Sequence, residues 1–243
     1  MKKYFIFLSI LFMINLSAND VNDDFDSFEE EMQVEEISDP LKPYNRVMTN
    51  FNDNIYENIF IPLNKGYKVV TTNEVRKSID KFFKNLAFPM RFLNNTLQMK
   101  FHYAFEETGR FVVNSTAGVL GFFDPAKSEM NLKAHDEDFG QTLGFYGLGS
   151  GPHLVLPIFG PSNLRDFSGL FVDSALSPVD YKDRHYPTLT NTWASYIGVR
   201  TTQKFNEMSL FSDTYDKVKK DAVDLYPYLR NIYEQRRNNQ IKE

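Results

Sequence analysis

The sequence predicts an all-α fold on three observations. Apolar residues recur at three- and four-residue spacing through most of the chain, proline and small polar residues stand where those segments begin, and no convincing strand ladder is present. At 243 residues the chain can bury a core without staples, so one domain with extensions is expected.

The opening "MKKYFIFLSILFMINLSA" has a basic start at Lys2 and Lys3, an apolar run from Tyr4 to Leu16 and a small residue at Ala18. That layout predicts a secretory signal over residues 1–18, too short to cross a bilayer core, which needs roughly 20 apolar residues. From Asp20 to Asp39 there are ten acids and no Lys or Arg, and residues 19–38 read as a disordered acidic linker. From Pro40 onward 25 bases face 22 acids, so the overall charge of −5 hides an acidic segment on a mildly basic body. The chain has no cysteine, which excludes disulfides and an acylated cysteine within it. Membrane attachment would then come from side chains. No later segment approaches spanning length, and the alternating segments of an outer-membrane barrel are absent. Contact with lipid would be interfacial or within one leaflet.

Along the body, Asp39-Pro40 reads as a helix start, followed by Tyr44, Val47, Met48, Phe51, Ile55 and Ile59 at helical spacing and a break near Pro62. Thr71 and Glu74 have capping-box spacing ahead of Val75, Ile79, Phe82, Phe83 and Leu86. Pro89 separates that helix from "MRFLNNTLQ", and the next carries Phe101, Phe105, Thr108 and Val112 on one face before Gly118 and Gly121. After a Gly/Pro-rich stretch, Pro161 reads as the first residue of a helix through Leu164, Phe167, Leu170 and Phe171. The chain turns at Pro178, and then come a helix around "TNTWASYIGVRTTQKFNEM", a Ser212-capped stretch and a last helix after Asp224. The domain is expected over 39–237, with a polar tail at 238–243.

The 23 phenylalanines and 13 tyrosines fall mostly on these faces, which in a soluble protein means a packed aromatic core. Phe122 and Phe123 lie between Gly121 and the Asp124-Pro125 turn signal, a setting that suits a wedge into lipid as well as a place in the core.

Seven of the twelve glycines lie in "DFGQTLGFYGLGSGPHLVLPIFGPSNLRDFSG", Asp138 to Gly169. Glycine lets backbone N–H groups approach phosphate, but neither G-x-x-x-x-G-K-[ST] nor G-x-G-x-x-G in a β-turn-α setting occurs here. Ser150 lacks the nucleophile elbow, because Leu148 and Pro152 stand where it needs glycine. His135 sits beside Asp136, Glu137 and Asp138 without any metal-ligand spacing, and the body has no Lys/Arg stripe for nucleic acid. No catalytic centre, cofactor or metal is recognisable.

Four blocks nevertheless stand in a familiar order: "SDPLKPYNRVMTNFN", "RFVVNSTAGVLGFFDPA", the glycine-rich block and "DLYPYLRNIYEQR". Together they resemble the MlaA, or VacJ, family over about residues 38–237. The resemblance implies a compact, ring-like bundle of amphipathic helices in the outer membrane's inner leaflet, with a central channel. It implies retrograde transport: phospholipid misplaced in the outer leaflet passes through the channel to a soluble periplasmic lipid-carrier protein, without catalysis. A trimeric porin is the implied partner. The departure is the lipidated cysteine that family members commonly carry.

On this resemblance the lipid-path candidates are Asn50, Phe51, Phe139, Leu143, Gly144, Tyr146, Gly147, Leu148, Gly149, Arg165 and Asp166, with Phe122 and Phe123 as membrane-contact candidates. The glycine-rich block is expected to be irregular backbone between helices, tolerable at membrane depth only where it is buried in protein or lines a cavity. Two rival functions differ in class. A soluble periplasmic shuttle, motivated by the missing cysteine and a mean hydropathy of −0.41, would copurify with lipid. A lipid hydrolase would need Ser150 as nucleophile.

Overall fold

The computed structural model describes residues 39–179, 190 and 192–243. The expected signal and acidic linker lie outside them. Helix α1 (Lys42–Ile55) begins after the Asp39-Pro40 signal, with Pro43 in its first turn. The chain does not break at Pro62. Tyr56–Phe60 form a π-helical turn in which the Ile61 N–H donates to the Tyr56 carbonyl, and α2 (Ile61–Val70) continues with Pro62 in its first turn. The widened turn opens the α ladder just before the residue that has no N–H to give it.

Helix α3 (Asn73–Leu86) is capped by Thr72, whose Oγ1 accepts from the Val75 N–H at 3.3 Å; Thr71 instead bonds back to the Tyr67 carbonyl. Pro89 lies in the first turn of α4 (Phe88–Leu97), followed by α5 (Phe101–Thr116). Asp124 caps the short α6 (Pro125–Ser128), and Asp138 caps α7 (Phe139–Phe145).

The glycine-rich block is not wholly irregular. Strands β1 (His153–Leu156) and β2 (Gly160–Asn163) form an antiparallel hairpin in which Val155 faces Pro161. Pro161 therefore sits in a strand, and α8 (Leu164–Leu176) starts at an Asn163 cap. Two asparagines of α1 hold the hairpin: Asn45 donates to the His153 carbonyl and accepts from the Val155 N–H, and Asn52 does the same with Leu156 and Ile158. Seven helical residues advance about 10.5 Å and three strand residues about 10 Å, so the two amides meet matching points along the strand.

Helix α9 (Trp193–Asp221) runs unbroken through Ser212, whose hydroxyl bonds to the Ser209 carbonyl within the helix and does not cap it. Helix α10 (Leu225–Lys242) starts at an Asp224 cap and carries the residues expected as a polar tail. Helices α4 and α5 pack together, as do α7 and α8 and also α3 and α9, while α10 packs on α7.

What these helices enclose is polar, and this overturns the expectation of an aromatic core. From α1 through the π turn into α2, Asn45, Thr49, Tyr56, Phe60 and Asn64 point inward, while Tyr44, Val47, Phe51, Ile59 and Leu63 form an exposed stripe. On α5, Ala104, Glu107, Arg110 and Asn114 are buried and Phe101, Phe105 and Val112 are exposed. The apolar faces exist where the spacing puts them, but they face outward.

Candidate functional site

The polar interior is built from two linked clusters. In the first, Arg237 of α10 donates both terminal nitrogens to the carboxylate of Asp138, at 2.6 and 2.8 Å, and its Nε to Asp166 Oδ2 at 2.8 Å. Tyr233 donates to the same Asp166 oxygen at 2.6 Å, and Arg165 Nε donates to Asp166 Oδ1 at 2.9 Å. Burial alone would raise both carboxyls, but the hydrogen bonds from Arg237 outweigh it and hold Asp138 and Asp166 below the usual carboxylate range. Glycine makes the approach possible: a Cβ on Gly169 would lie 2.7 Å from the Gly140 nitrogen, and one on Gly140 would lie 2.5 Å from Asp166 Oδ1.

In the second cluster, Arg91 Nε donates to Glu107 at 2.6 Å, and the other oxygen of Glu107 accepts from the His135 N–H at 2.8 Å. Lys100 and Gln98 both donate to Glu137. Thr142 joins the two clusters, accepting from Gln98 at 3.2 Å and donating to the Asp138 carbonyl at 3.3 Å and to Asn94 at 2.8 Å, and Asn94 in turn donates to Asp173 at 3.2 Å.

Asp173 behaves oppositely to its neighbours. Burial first, then the charge of Asp138, pushes its carboxyl from 3.8 up to about 6. Because the folded protein holds that proton longer than the unfolded chain does, this carboxyl makes stability fall as pH rises through that window, and the loss persists above it. Asp173→Asn is expected to remove this slope, a difference on the order of 2–3 kcal/mol at neutral pH. Unfolding midpoints measured from pH 4 to 8 check it; parallel profiles for the two proteins would refute it.

The expected lipid-path residues fall into three environments. Arg165 and Asp166 are buried in the ion cluster. Phe139, Leu143 and Gly144 are half-buried on α7, where a Cβ on Gly144 would meet Ile241 of α10 at 2.5 Å. Tyr146, Gly147, Leu148 and Gly149 are exposed in the loop after α7, and Asn50 and Phe51 on α1 are exposed too. Gly147 has φ +86°, and a Cβ on either loop glycine would meet open space. Phe122 stacks on Phe82 of α3 with ring centroids 4.7 Å apart, while Phe123 is exposed.

His135 stacks on Tyr103 and bonds through Nε2 to Glu106, and among the described residues no three His, Asp or Glu side chains are arranged to hold a metal ion. Ser150 has its hydroxyl on the neighbouring Gly151 carbonyl at 3.3 Å. Among the interior residues that sequence reasoning missed are Arg91, Glu107, Asp173 and Arg237. Their only signal is a charge on the side of a helix opposite its apolar stripe, as with Glu107 across from Phe105 and Val112.

Guanidinium, carboxylate and amide groups inside, with aromatic and aliphatic side chains outside, suit an apolar surrounding rather than water. Among the described residues no helix is long and apolar enough to cross a membrane. The class so defined is a mainly helical protein with a polar interior and an apolar exterior. The model of the family described as MlaA lipoprotein matches residues 37–240, and the chain belongs to that family. This bears out the resemblance carried by the four blocks. The chain is 30% identical over 203 residues to the intermembrane phospholipid transport system lipoprotein MlaA of Escherichia coli K12, covering 82% of this chain and 76% of that one. A Rickettsia bellii protein is 34% identical over 209 residues, covering 85% and 78%. A solved structure from work on the structural basis for maintenance of bacterial outer membrane lipid asymmetry matches with a TM-score of 0.70 at 28% identity, covering 84% of this chain and 99% of that one.

Proposed function

We propose that this protein is the outer-membrane component of a phospholipid transport system, taking misplaced phospholipid from the outer leaflet and passing it to a soluble periplasmic carrier. One observation carries the reading: the interior is polar and the exposed helix faces are apolar. A phospholipid is a charged head on long acyl chains, so its path needs polar groups beside apolar walls. Helices with one face of each kind supply both, and transfer then requires a low desolvation barrier and a downstream acceptor rather than bond chemistry. The names of the Escherichia coli relative and of the solved structure point the same way.

In this reading the exposed loop Phe145–Gly149 flanks the lipid passage, with Asn50 and Phe51 as further contacts, while Arg165 and Asp166 brace it from within. Phe123, exposed beside the packed Phe122, is the member of that pair that meets lipid. A trimeric porin fits as a partner on part of the apolar exterior. In this reading the exposed apolar side chains hold the protein at the membrane.

Deleting the gene is expected to raise phospholipid in the outer leaflet and to increase detergent sensitivity, measured by surface labelling of phospholipid. Complementation by Gly149→Trp is expected to fail although the protein accumulates, since a Cβ at this exposed position has no neighbour within 4 Å. Gly147 is the poorer choice, because any side chain at its positive φ carries a backbone penalty of about 1–2 kcal/mol. Unchanged surface lipid in the deletion strain would overturn the reading.

A further inference from the structure

Among the described residues, four apolar ones occupy the left-handed backbone region: Met99 (φ 60°), Val119 (φ 53°), Leu120 (φ 58°) and Ile158 (φ 69°). They form the apexes of three turns, after α4, after α5 and at the tip of the β1–β2 hairpin. Water-facing turns of this geometry favour glycine or asparagine, which adopt positive φ at little cost and leave no apolar surface behind. A β-branched residue such as Val119 or Ile158 is a genuine outlier there. Each of the four side chains is more than half exposed, so packing within the protein does not explain the choice.

Several backbone groups at these apexes are satisfied internally. The Met99 N–H donates to the Thr96 carbonyl at 3.0 Å and the Leu120 N–H to the Ser115 carbonyl at 3.0 Å. Asn85 reaches across to donate to the Leu120 carbonyl at 3.3 Å, and Asn52 accepts from the Ile158 N–H at 2.6 Å. An exposed turn in water has no need of such partners. In hydrocarbon every one of these groups requires one. Phe123 follows the second turn and Phe159 the third, both exposed and apolar.

We propose that these three turn apexes are inserted into the acyl-chain layer of a bilayer, which takes up the side chains and offsets the strain of their backbone. The inference rests on the lipid-facing reading given above and adds which points of the chain enter the hydrocarbon. It separates the turns from the Gly147–Gly149 loop, where glycine does occupy the positive-φ position.

The absence of cysteine makes the test direct, because one introduced thiol is the only one in the chain. Leu120→Cys, Ile158→Cys and, as a water-exposed control, Lys133→Cys are each coupled to a nitroxide and mixed with phosphatidylethanolamine–phosphatidylglycerol vesicles. Accessibility to oxygen and to a water-soluble nickel chelate is then read on the vesicle-bound protein. The expected result is nickel exclusion at positions 120 and 158 and free nickel access at 133. Vesicle-bound protein with nickel access at all three positions would overturn the insertion while leaving the lipid-facing reading intact. Protein that does not float with vesicles at all would overturn both. Ile158→Gly supplies a second readout: its unfolding midpoint in detergent is expected to hold or rise as the strain is relieved, while vesicle partition falls about tenfold. A lower midpoint with unchanged partition would mean that Ile158 serves the fold alone.

Discussion

Phe105→Glu combined with Val112→Glu is expected to strip the protein from membranes while leaving its fold in place. The two positions are two helical turns apart on the outer face of α5, with Phe105 74% exposed, and neither belongs to the buried set of that helix. Fully withdrawing such side chains from water is worth about 1.5–3 kcal/mol each, so their loss at partial exposure removes about 3 kcal/mol of membrane affinity. That corresponds to about a hundredfold weaker partition, and the cost of placing two carboxylates against lipid adds to it. Glutamate is the better probe than lysine, whose long stem lets its charge reach the headgroups. Flotation with vesicles checks the first half of the expectation and the near-ultraviolet circular dichroism in detergent checks the second. Retention of the double variant in the membrane fraction would mean that α5 does not face lipid.

The second large effect is expected at Arg237→Ala. This side chain bridges Asp138 and Asp166, and its removal leaves two carboxylates facing each other beside the buried Arg165. Breaking a buried ion pair from one side costs about 3–5 kcal/mol, a large share of the total for a domain with about 5–15 kcal/mol to spare. Lysine offers a single point of charge and cannot reproduce the fork that reaches both carboxylates, so Arg237→Lys is expected to fall between wild type and alanine. The measurement is the denaturant midpoint in detergent together with the level of accumulated protein. An alanine variant with an unchanged midpoint would show that water takes over the role of the guanidinium.

Spacing made most helices legible and left their orientation hidden. The stripes through Tyr44, Val47 and Phe51 and through Phe101, Phe105 and Val112 are real, but a period of three to four residues states only that one face differs from the other. Which medium each face meets depends on the opposite face, and Glu107, Arg110 and Asn114 on α5 are the informative residues there. Pro62 failed as a stop signal because a π turn precedes it, and nothing in "YENIF" announces that turn. The hairpin was missed because its strands are four residues long and their alignment depends on Asn45 and Asn52, roughly a hundred residues away in the chain. Arg165 and Asp166 stand in a block that the sequence displays, but the arginine that gives them their setting, Arg237, is 71 residues from Asp166.

A polar interior also changes how stability responds to temperature. The heat-capacity increment of unfolding comes from newly wetted apolar surface and is diminished by newly wetted polar groups. In this protein the side chains released from the interior are mostly amides, carboxylates and guanidinium groups, so the increment per residue is expected to lie below the usual value of about 12–15 cal/mol/K. The curve of stability against temperature then becomes shallow, and the fold holds nearly the same margin across a wide range of growth temperatures.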